Sequence, residues 1–169
     1  MESMDGAGIY DKIAIIGTGK MAQAMIKPLV VNGFQPEDKI AVYDVSPAAM
    51  KNVKKEYPDV QLAQTIEELV SDADMIICAV KPQNIDQAFW DQFPEKMRDD
   101  ATMLSIVAGK PLRDFLPSGV KKIVRSMPNT PAMIGQGMTV WCCTPSLTTH
   151  DRELVKQVLS TMGKNVSDL

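Results

Sequence analysis

A short apolar strand that runs directly into a glycine-rich turn is the feature that most constrains the fold of this chain. Residues 12–25 read K-I-A-I-I-G-T-G-K-M-A-Q-A-M, with a G-x-G-x-x-A spacing between the strand and a helical pattern. Gly17 permits a tight strand-to-helix turn, Gly19 lets a pyrophosphate approach the backbone, and Ala22 lets the helix pack on the strand. The N–H groups and dipole at the helix start favour a diphosphate. The pattern predicts a dinucleotide-binding turn made of Gly17, Thr18, Gly19, Lys20, Met21 and Ala22.

The same spacing also occurs where small residues serve only helix–sheet packing, so the order of the other elements decides between the two interpretations. Apolar segments predict further strands at 39–44, 60–63, 75–80, 101–107, 122–125 and 138–142, with a strand-like stretch at 165–167. Capping and periodicity signals predict helices at 47–57, 65–72, 83–93, 112–116 and 151–162. Prolines and glycines predict a loop at 126–137.

This alternation predicts an α/β fold. We expect a Rossmann-like, doubly wound, mostly parallel sheet with helices on both faces. A length of 169 residues allows one well-buried domain. We expect residues 1–11 to form a flexible N-terminal segment and residues 12–169 to form the dinucleotide-binding domain.

Composition and patterning exclude several other classes of protein. The net charge is −3 with both signs spread along the chain, so no basic stripe points to nucleic acid. The apolar run at 75–80 is far below the ~18 residues of a membrane span. An acidic, glycine-containing start is unlike a signal peptide, so we expect a reducing, cytoplasmic compartment. We interpret Cys78, Cys142 and Cys143 as structural, His150 as a surface cap, and the chain as having no metal site.

Residues that follow the strands are the candidates for ligand contacts, because ligands in such sheets bind beyond the carboxyl ends of the strands. Asp44 follows the second strand, where a carboxylate accepts from the adenosine ribose hydroxyls and repels a 2′-phosphate. This position favours NAD(H) over NADP(H), unless Asp44 only begins the turn into the helix capped by Ser46. Further candidates are Val80, Lys81 and Pro82, and Ala108 and Gly109. Lys81 is alternatively an exposed charge, and Pro82 alternatively only starts the next helix.

Residues 127–131 form the most distinctive of these segments. Two prolines fix the backbone around Asn129 and Thr130, whose amide and hydroxyl suit a nicotinamide carboxamide or a small substrate. The alternative is a proline-stiffened loop that binds no ligand.

Several motifs together carry a resemblance to a known family. They are I-G-T-G-K-M-A-Q-A-M, A-V-K-P-Q at 79–83, S-I-V-A-G at 105–109, and R-S-M-P-N-T-P-A at 125–132 followed by G-M-T. In this combination the chain resembles the N-terminal domain of Δ1-pyrroline-5-carboxylate reductase. The resemblance implies an NAD(P)H-dependent oxidoreductase of proline biosynthesis, in which hydride adds to the C=N carbon of a small imine substrate and gives L-proline.

The resemblance also implies roles for the candidate residues. The pyrophosphate would be held by Gly17, Thr18, Gly19, Lys20, Met21 and Ala22, and the ribose would be faced by Asp44 and Ser46. The cofactor would be flanked by Val80, Lys81 and Pro82. The nicotinamide and the substrate would be surrounded by Ala108, Gly109, Met127, Pro128, Asn129 and Thr130. Asn129 and Thr130 are the candidates for a catalytic role.

Two departures from the family's pattern shape our expectations. Members often carry an asparagine before the third helix, whereas this chain has Gln64-Thr65-Ile66. Members also continue into a helical C-terminal domain that forms a dimer and supplies much of the imine pocket, and we expect that domain to be absent here. A catalytically incomplete NAD(P)-binding protein with a regulatory or assembly role is therefore the alternative. A β-hydroxyacid dehydrogenase or a coenzyme F420-dependent reductase is a third interpretation, which the M-P-N-T-P-A segment disfavours.

Overall fold

A computed structural model of the chain describes residues 8–128, 138–160 and 165–168. Within these residues the strands form one eight-stranded sheet in the order β3-β2-β1-β4-β5-β6-β7-β8. The strands are β1 (Ile13–Ile16), β2 (Ile40–Tyr43), β3 (Gln61–Leu62), β4 (Met75–Cys78), β5 (Thr102–Ser105), β6 (Lys122–Pro128), β7 (Met138–Cys143) and β8 (Asn165–Asp168). Neighbouring strands are parallel except for β6 and β7, which are antiparallel. The predicted mostly parallel, doubly wound sheet is confirmed.

The central strands are apolar along their whole length because both of their faces are covered. All four residues of β1 and all four of β4 are buried, which is typical of strands inside a parallel sheet. In register, Ile16 lies between Tyr43 and Cys78. The loops that follow β1, β2 and β4 therefore start side by side at the carboxyl edge of the sheet.

Helices cover the two faces of the sheet. They are α1 (Lys20–Val31), α2 (Pro47–Glu56), α3 (Ile66–Val70), α4 (Gln87–Trp90) and α5 (Thr149–Leu159), with 3-10 turns at Glu37–Lys39, Pro82–Asn84 and Leu112–Ser118. One hydrophobic core contains residues of α1, α2 and α5, and the other contains residues of α3, α4 and the last 3-10 turn. None of the helices within the described residues is both long enough and apolar enough to cross a membrane.

Three of the predicted helix caps are confirmed, although α5 begins at Thr149 and not at residue 151. The Ser46 hydroxyl accepts from the Ala49 N–H at 3.2 Å, and the Thr65 hydroxyl accepts from the Glu68 N–H at 3.1 Å. Thr148 and Asp151 form a reciprocal capping box at the start of α5. Each cap satisfies an N–H group that has no acceptor within its own helix.

The prediction of one continuous helix at 83–93 is wrong, because the segment forms a 3-10 turn and a separate short α-helix. Residues Pro82–Asn84 form a 3-10 turn, Ile85 is extended, and only Gln87–Trp90 are α-helical. The Asp86 carboxylate accepts from the Phe89 N–H at 2.9 Å and starts a new helix, because a short acidic side chain competes for nearby backbone donors. Phe89 and Trp90 then pack edge to face with ring centroids 4.9 Å apart.

The loop predicted at 126–137 begins later than expected. Strand β6 continues to Pro128, which is paired with Thr139 of β7, because an antiparallel partner extends the ladder and proline is tolerated at the end of a strand. Residues 129–137 lie outside the described residues.

At the other end of the chain, the Ile9 N–H donates to the Phe34 carbonyl at 2.8 Å, and the Tyr10 N–H donates to the Gln35 side chain at 3.1 Å.

Candidate functional site

A cleft of about 520 Å³ opens at the carboxyl edge of the sheet, where the loops after β1, β2 and β4 meet. Six of the residues predicted to bind the cofactor line it: Gly17, Thr18, Gly19, Asp44, Val80 and Lys81. These residues are far apart in the sequence, and the register of β1, β2 and β4 brings them together. The cleft is the best-supported ligand site among the described residues, because the predicted contacts converge on it.

The two glycines of the turn have different structural roles. Gly17 has a φ of +99°, and a Cβ atom placed there would lie 2.7 Å from the carbonyl oxygen of Ala79. Glycine is therefore required at this position by the turn itself and by the close approach of the backbone after β4. Gly19 has an ordinary φ of −70°, and a Cβ atom there would meet nothing within 4 Å. The fold does not require glycine at position 19, so the open space above it is available to a ligand.

Thr18 directs its polar groups into the protein. Its N–H and its hydroxyl both donate to Oδ2 of Asp44 at 2.8 Å, and its carbonyl accepts from the Gln23 side chain at 2.7 Å. The Ser46 N–H donates to Oδ1 of Asp44 at 2.9 Å. The Asp44 carboxylate thus joins the glycine-rich turn to the start of α2.

This arrangement fixes the charge of Asp44. Partial burial by itself raises the pKa of its carboxyl group, but the hydrogen bonds from the Ser46 N–H and from the hydroxyl and N–H of Thr18 bring the pKa below its usual value. Hydrogen bonds to the charged form favour ionisation. Asp44 therefore presents a full negative charge to the cleft at neutral pH.

The donors that remain for an anion lie at the start of α1. The Gly17 N–H donates to the Tyr43 carbonyl at 2.8 Å, and the Thr18 N–H is occupied by Asp44. The first N–H groups of a helix have no acceptor within that helix. A diphosphate above Gly19 would therefore meet the N–H groups of Gly19, Lys20 and Met21, at the positive end of the helix dipole.

The outer part of the cleft combines apolar walls with a polar rim. Its apolar lining includes Val45, which is 86% exposed, together with Ile66 and Phe89. Asn84 and Gln92 supply amide groups at the rim. Such a pocket suits a flat aromatic ring with polar edges. The sequence pattern does not single out Ile66, Asn84, Phe89 and Gln92, because their approach to Asp44 depends on how the segments at 66–70 and 82–92 pack against the sheet.

Other predicted residues lie outside the cleft lining. Lys20 is exposed, Met21 is partly buried, and Ala22 packs into the core, while Ser46 serves as the cap of α2 and Pro82 starts a 3-10 turn. The departure at Gln64 has a structural role, because its N–H donates to the Glu68 carboxylate at 3.1 Å. The exposed His150 lies in the first turn of α5.

The residues predicted to surround the nicotinamide lie after β5 and at the end of β6 or next to it in the sequence. Ala108 and Gly109 are exposed after β5, and Gly109 has a φ of +74°, where a Cβ atom would meet nothing within 4 Å. Met127 and Pro128 occupy the last pairs of β6, opposite Val140 and Thr139. Asn129 and Thr130 lie outside the described residues.

Comparisons with known proteins agree with this geometry. The family described as "NADP oxidoreductase coenzyme F420-dependent" matches residues 12–109. Pyrroline-5-carboxylate reductase of Arabidopsis thaliana is 30% identical over 154 residues, which are 90% of this chain and 55% of that protein. The same enzyme of Haemophilus influenzae is 34% identical over 159 residues, 91% of this chain and 56% of that protein. The chain thus spans about half the length of the curated relatives it matches.

Solved structures give the same result for the fold. A pyrroline-5-carboxylate reductase from Coxiella burnetii superposes with a TM-score of 0.79 and 25% identity, over 94% of this chain and 58% of that one. A reductase from Plasmodium falciparum with NADP bound gives a TM-score of 0.74 at 22% identity, over 94% of this chain and 57% of that one. The resemblance inferred from the sequence motifs is confirmed.

Proposed function

This chain belongs to the NADP oxidoreductase, coenzyme F420-dependent family, and we propose that it acts as a pyrroline-5-carboxylate reductase-like protein whose cleft binds the adenosine diphosphate part of NAD(P)H. The observation that carries this proposal is the turn at the carboxyl end of β1. It combines an open backbone at Gly19 with uncapped N–H groups at the start of α1 and a charged Asp44 nearby. The outer pocket beside Val45 would take the adenine ring.

The proposed reaction requires a hydride donor held beside an imine carbon. When bound, the reduced cofactor would supply the hydride that adds to the C=N carbon of pyrroline-5-carboxylate, and a proton taken up from solvent by the ring nitrogen would complete L-proline. We assign the positioning of the nicotinamide and the imine to residues after β5, at the end of β6 and next to it in the sequence: Ala108, Gly109, Met127, Pro128, Asn129 and Thr130. Orientation in a near-attack geometry contributes about 7–11 kcal/mol to such reactions. These residues would therefore govern turnover more than cofactor affinity.

We further propose that NAD(H) binds more tightly than NADP(H). The charged Asp44 lies where a 2′-phosphate would approach, and Lys81 is the one cation among the described residues that line the cleft. Two like charges about 4 Å apart repel by about 1 kcal/mol in water and by about 4 kcal/mol near a protein surface. Titration calorimetry with both cofactors tests the preference, and Asp44→Ser should narrow or reverse it. Tighter binding of NADPH by the unmodified chain would refute this assignment.

Turnover distinguishes the reductase from a nucleotide-binding protein without catalysis. The second function would use the same cleft to bind the cofactor, without turnover, in a regulatory or assembly role. Steady-state assays with pyrroline-5-carboxylate and either cofactor separate the two, with light scattering to give the oligomeric state. A turnover number of roughly 1–10³ per second is typical of enzymes and would support the reductase. Cofactor binding without turnover would support the regulatory or assembly role.

The family relationship and the chemistry of the cleft suggest a small-molecule substrate rather than a nucleic acid or a membrane. We propose a reducing, cytoplasmic compartment, because the thiols of Cys78 and Cys142 are free. Cell fractionation of the tagged protein would test this proposal, and recovery of the protein from an oxidising compartment, such as the secreted fraction, would contradict it.

A further inference from the structure

Thr18 is almost completely buried although it lies between the two glycines of an open turn. Its side chain and backbone are 3% exposed in total. All three of its polar groups have partners inside the protein: the N–H and the hydroxyl donate to Oδ2 of Asp44, and the carbonyl accepts from Gln23. A residue that contacted the diphosphate itself would keep its N–H for the ligand.

The same contacts limit what Asp44 can offer to a ligand. An ionised carboxylate has about four lone-pair positions for hydrogen bonds. Thr18 uses two of them at Oδ2, and the Ser46 N–H uses one at Oδ1. A single position remains. Asp44 therefore cannot accept from both hydroxyls of an adenosine ribose while these three contacts persist.

We propose that Thr18 is a positioning residue: its two hydrogen bonds to Oδ2 of Asp44, here called the Thr18–Asp44 clamp, hold the phosphate-binding turn against the end of β2 and leave Asp44 one acceptor position for the ribose. The inference rests on the proposed function, because it takes NAD(P)H as the ligand. Asp44 then has a second role, which is to fix the position of the phosphate-binding turn relative to the end of β2. Both cofactors contain that diphosphate, so the clamp supports both equally.

Thr18→Val separates this task from the choice between the two cofactors. The substitution removes the hydroxyl and preserves the shape of the side chain and the N–H. Losing one of the two hydrogen bonds that position the turn should raise the dissociation constants of NADH and NADPH together, by roughly three- to tenfold, the range of a typical net hydrogen bond. Asp44 keeps its charge and gains one free acceptor position, so the ratio of the two constants should stay unchanged or move towards tighter relative binding of NADH, which alone has a free ribose 2′-hydroxyl. Thr18→Ser retains the hydroxyl and should restore both constants to within about twofold.

A double-mutant cycle tests whether Thr18 acts through Asp44. Because the hydroxyl of Thr18 donates to Asp44, Thr18→Val should add less than about twofold to the dissociation constant of an Asp44→Ala variant. Thr144→Val is the matched control, because the Thr144 hydroxyl is also hydrogen-bonded, to the Lys121 carbonyl and the Ile123 N–H, and lies outside the cleft lining. It should leave cofactor binding unchanged. Thermal unfolding of every variant gives the folded fraction.

The outcomes separate the clamp from the proposed function. If the unmodified chain binds neither cofactor, the proposed function fails. If the unmodified chain binds, then an unchanged dissociation constant in folded Thr18→Val, a shift of the cofactor ratio towards NADPH, or additive effects in the cycle would overturn the clamp. Amide hydrogen exchange on the unmodified chain tests it without any variant. We expect the Thr18 N–H to be protected, and exchange at the intrinsic rate would also overturn the clamp.

Discussion

Substitutions at Gly17 and Gly19 should have opposite consequences, although the two glycines are separated by a single residue. Alanine at position 17 should destabilise the fold, and alanine or valine at position 19 should block cofactor binding in a folded protein. The prediction follows from what a Cβ atom would meet at each position: the Ala79 carbonyl oxygen at 2.7 Å for Gly17, and nothing within 4 Å for Gly19.

The size of the effect at Gly17 comes from two contributions. A positive φ costs an L-residue about 1–2 kcal/mol, and overpacking against a neighbour that must move costs about 1–3 kcal/mol. Together they remove about 2–5 kcal/mol from a free energy of unfolding that is about 5–15 kcal/mol for most domains. For a domain of this size, each kcal/mol lowers the melting temperature by about 2–4 °C. Gly17→Ala should therefore melt roughly 4–20 °C lower.

Gly19 precedes α1 as its N-cap, with φ of −70° and ψ of −174°, which alanine and valine can adopt. Alanine in place of glycine at an N-cap costs at most about 1 kcal/mol. The added carbon would occupy the space that phosphate oxygens need, so Gly19→Ala should raise the dissociation constant of NADH at least about tenfold, which corresponds to about 1.4 kcal/mol. Gly19→Val should abolish binding.

Calorimetric melting and cofactor fluorescence on the same preparations check both halves of the prediction. Gly33→Ala is the matched control, because Gly33 also has a positive φ, of +74°, but a Cβ atom there would meet nothing within 4 Å. Gly33→Ala should therefore be destabilised only by the positive φ, which costs about 1–2 kcal/mol. An unchanged melting temperature for Gly17→Ala, or an unchanged NADH affinity for folded Gly19→Val, would refute the reasoning.

Two further predictions concern stability and reactivity away from the cleft. Burial by itself raises the pKa of Asp151, but hydrogen bonds from the Lys122 ammonium and from Thr148 bring the pKa below its usual value. The resulting stabilisation is full above the pKa of an unfolded aspartate and is lost as the pH falls through the folded pKa. The free energy of unfolding of Asp151→Asn, measured in urea at pH 7, should therefore be about 1–2 kcal/mol lower than that of the unmodified chain. A difference between the two proteins that is just as large at strongly acidic pH would contradict the predicted pH dependence. Burial also raises the pKa of the Cys78 thiol to about 12, so Cys78 should react with iodoacetamide at pH 8 only after unfolding; rapid labelling of the native protein, located by mass spectrometry, would contradict it.

Local signals made much of the fold predictable from the sequence. The buried strands β1 and β4 are continuous apolar runs, and Ser46, Thr65 and Thr148 cap the helices that their spacing predicts. These features depend on residues only a few positions apart. The convergence of the glycine turn with Asp44 was also predictable, because parallel strands end at one edge of the sheet.

The features that the sequence did not reveal depend on contacts between distant segments. The break before α4 follows from the Asp86 cap together with the packing of Trp90 on Phe115, whose ring centroids are 5.7 Å apart. The inward direction of the Thr18 donors depends on Asp44, which is 26 residues away. The G-x-G-x-x-A spacing specifies that a small turn is present. It does not specify which N–H groups of the turn are already occupied.

The position of the cleft follows from the order in which the chain visits the sheet. The chain moves from β1 outward through β2 to β3, and then returns to place β4 on the other side of β1. After β1 it enters α1, which packs in one hydrophobic core, and after β4 it reaches α4, which packs in the other. The segments that follow these adjacent strands therefore diverge to opposite faces, and a crevice opens between them. Gly17 sits at the base of that crevice, where the backbone of Ala79 leaves no room for a side chain. The requirement for glycine and the existence of the cleft thus have one cause, which is the reversal of strand order at β1.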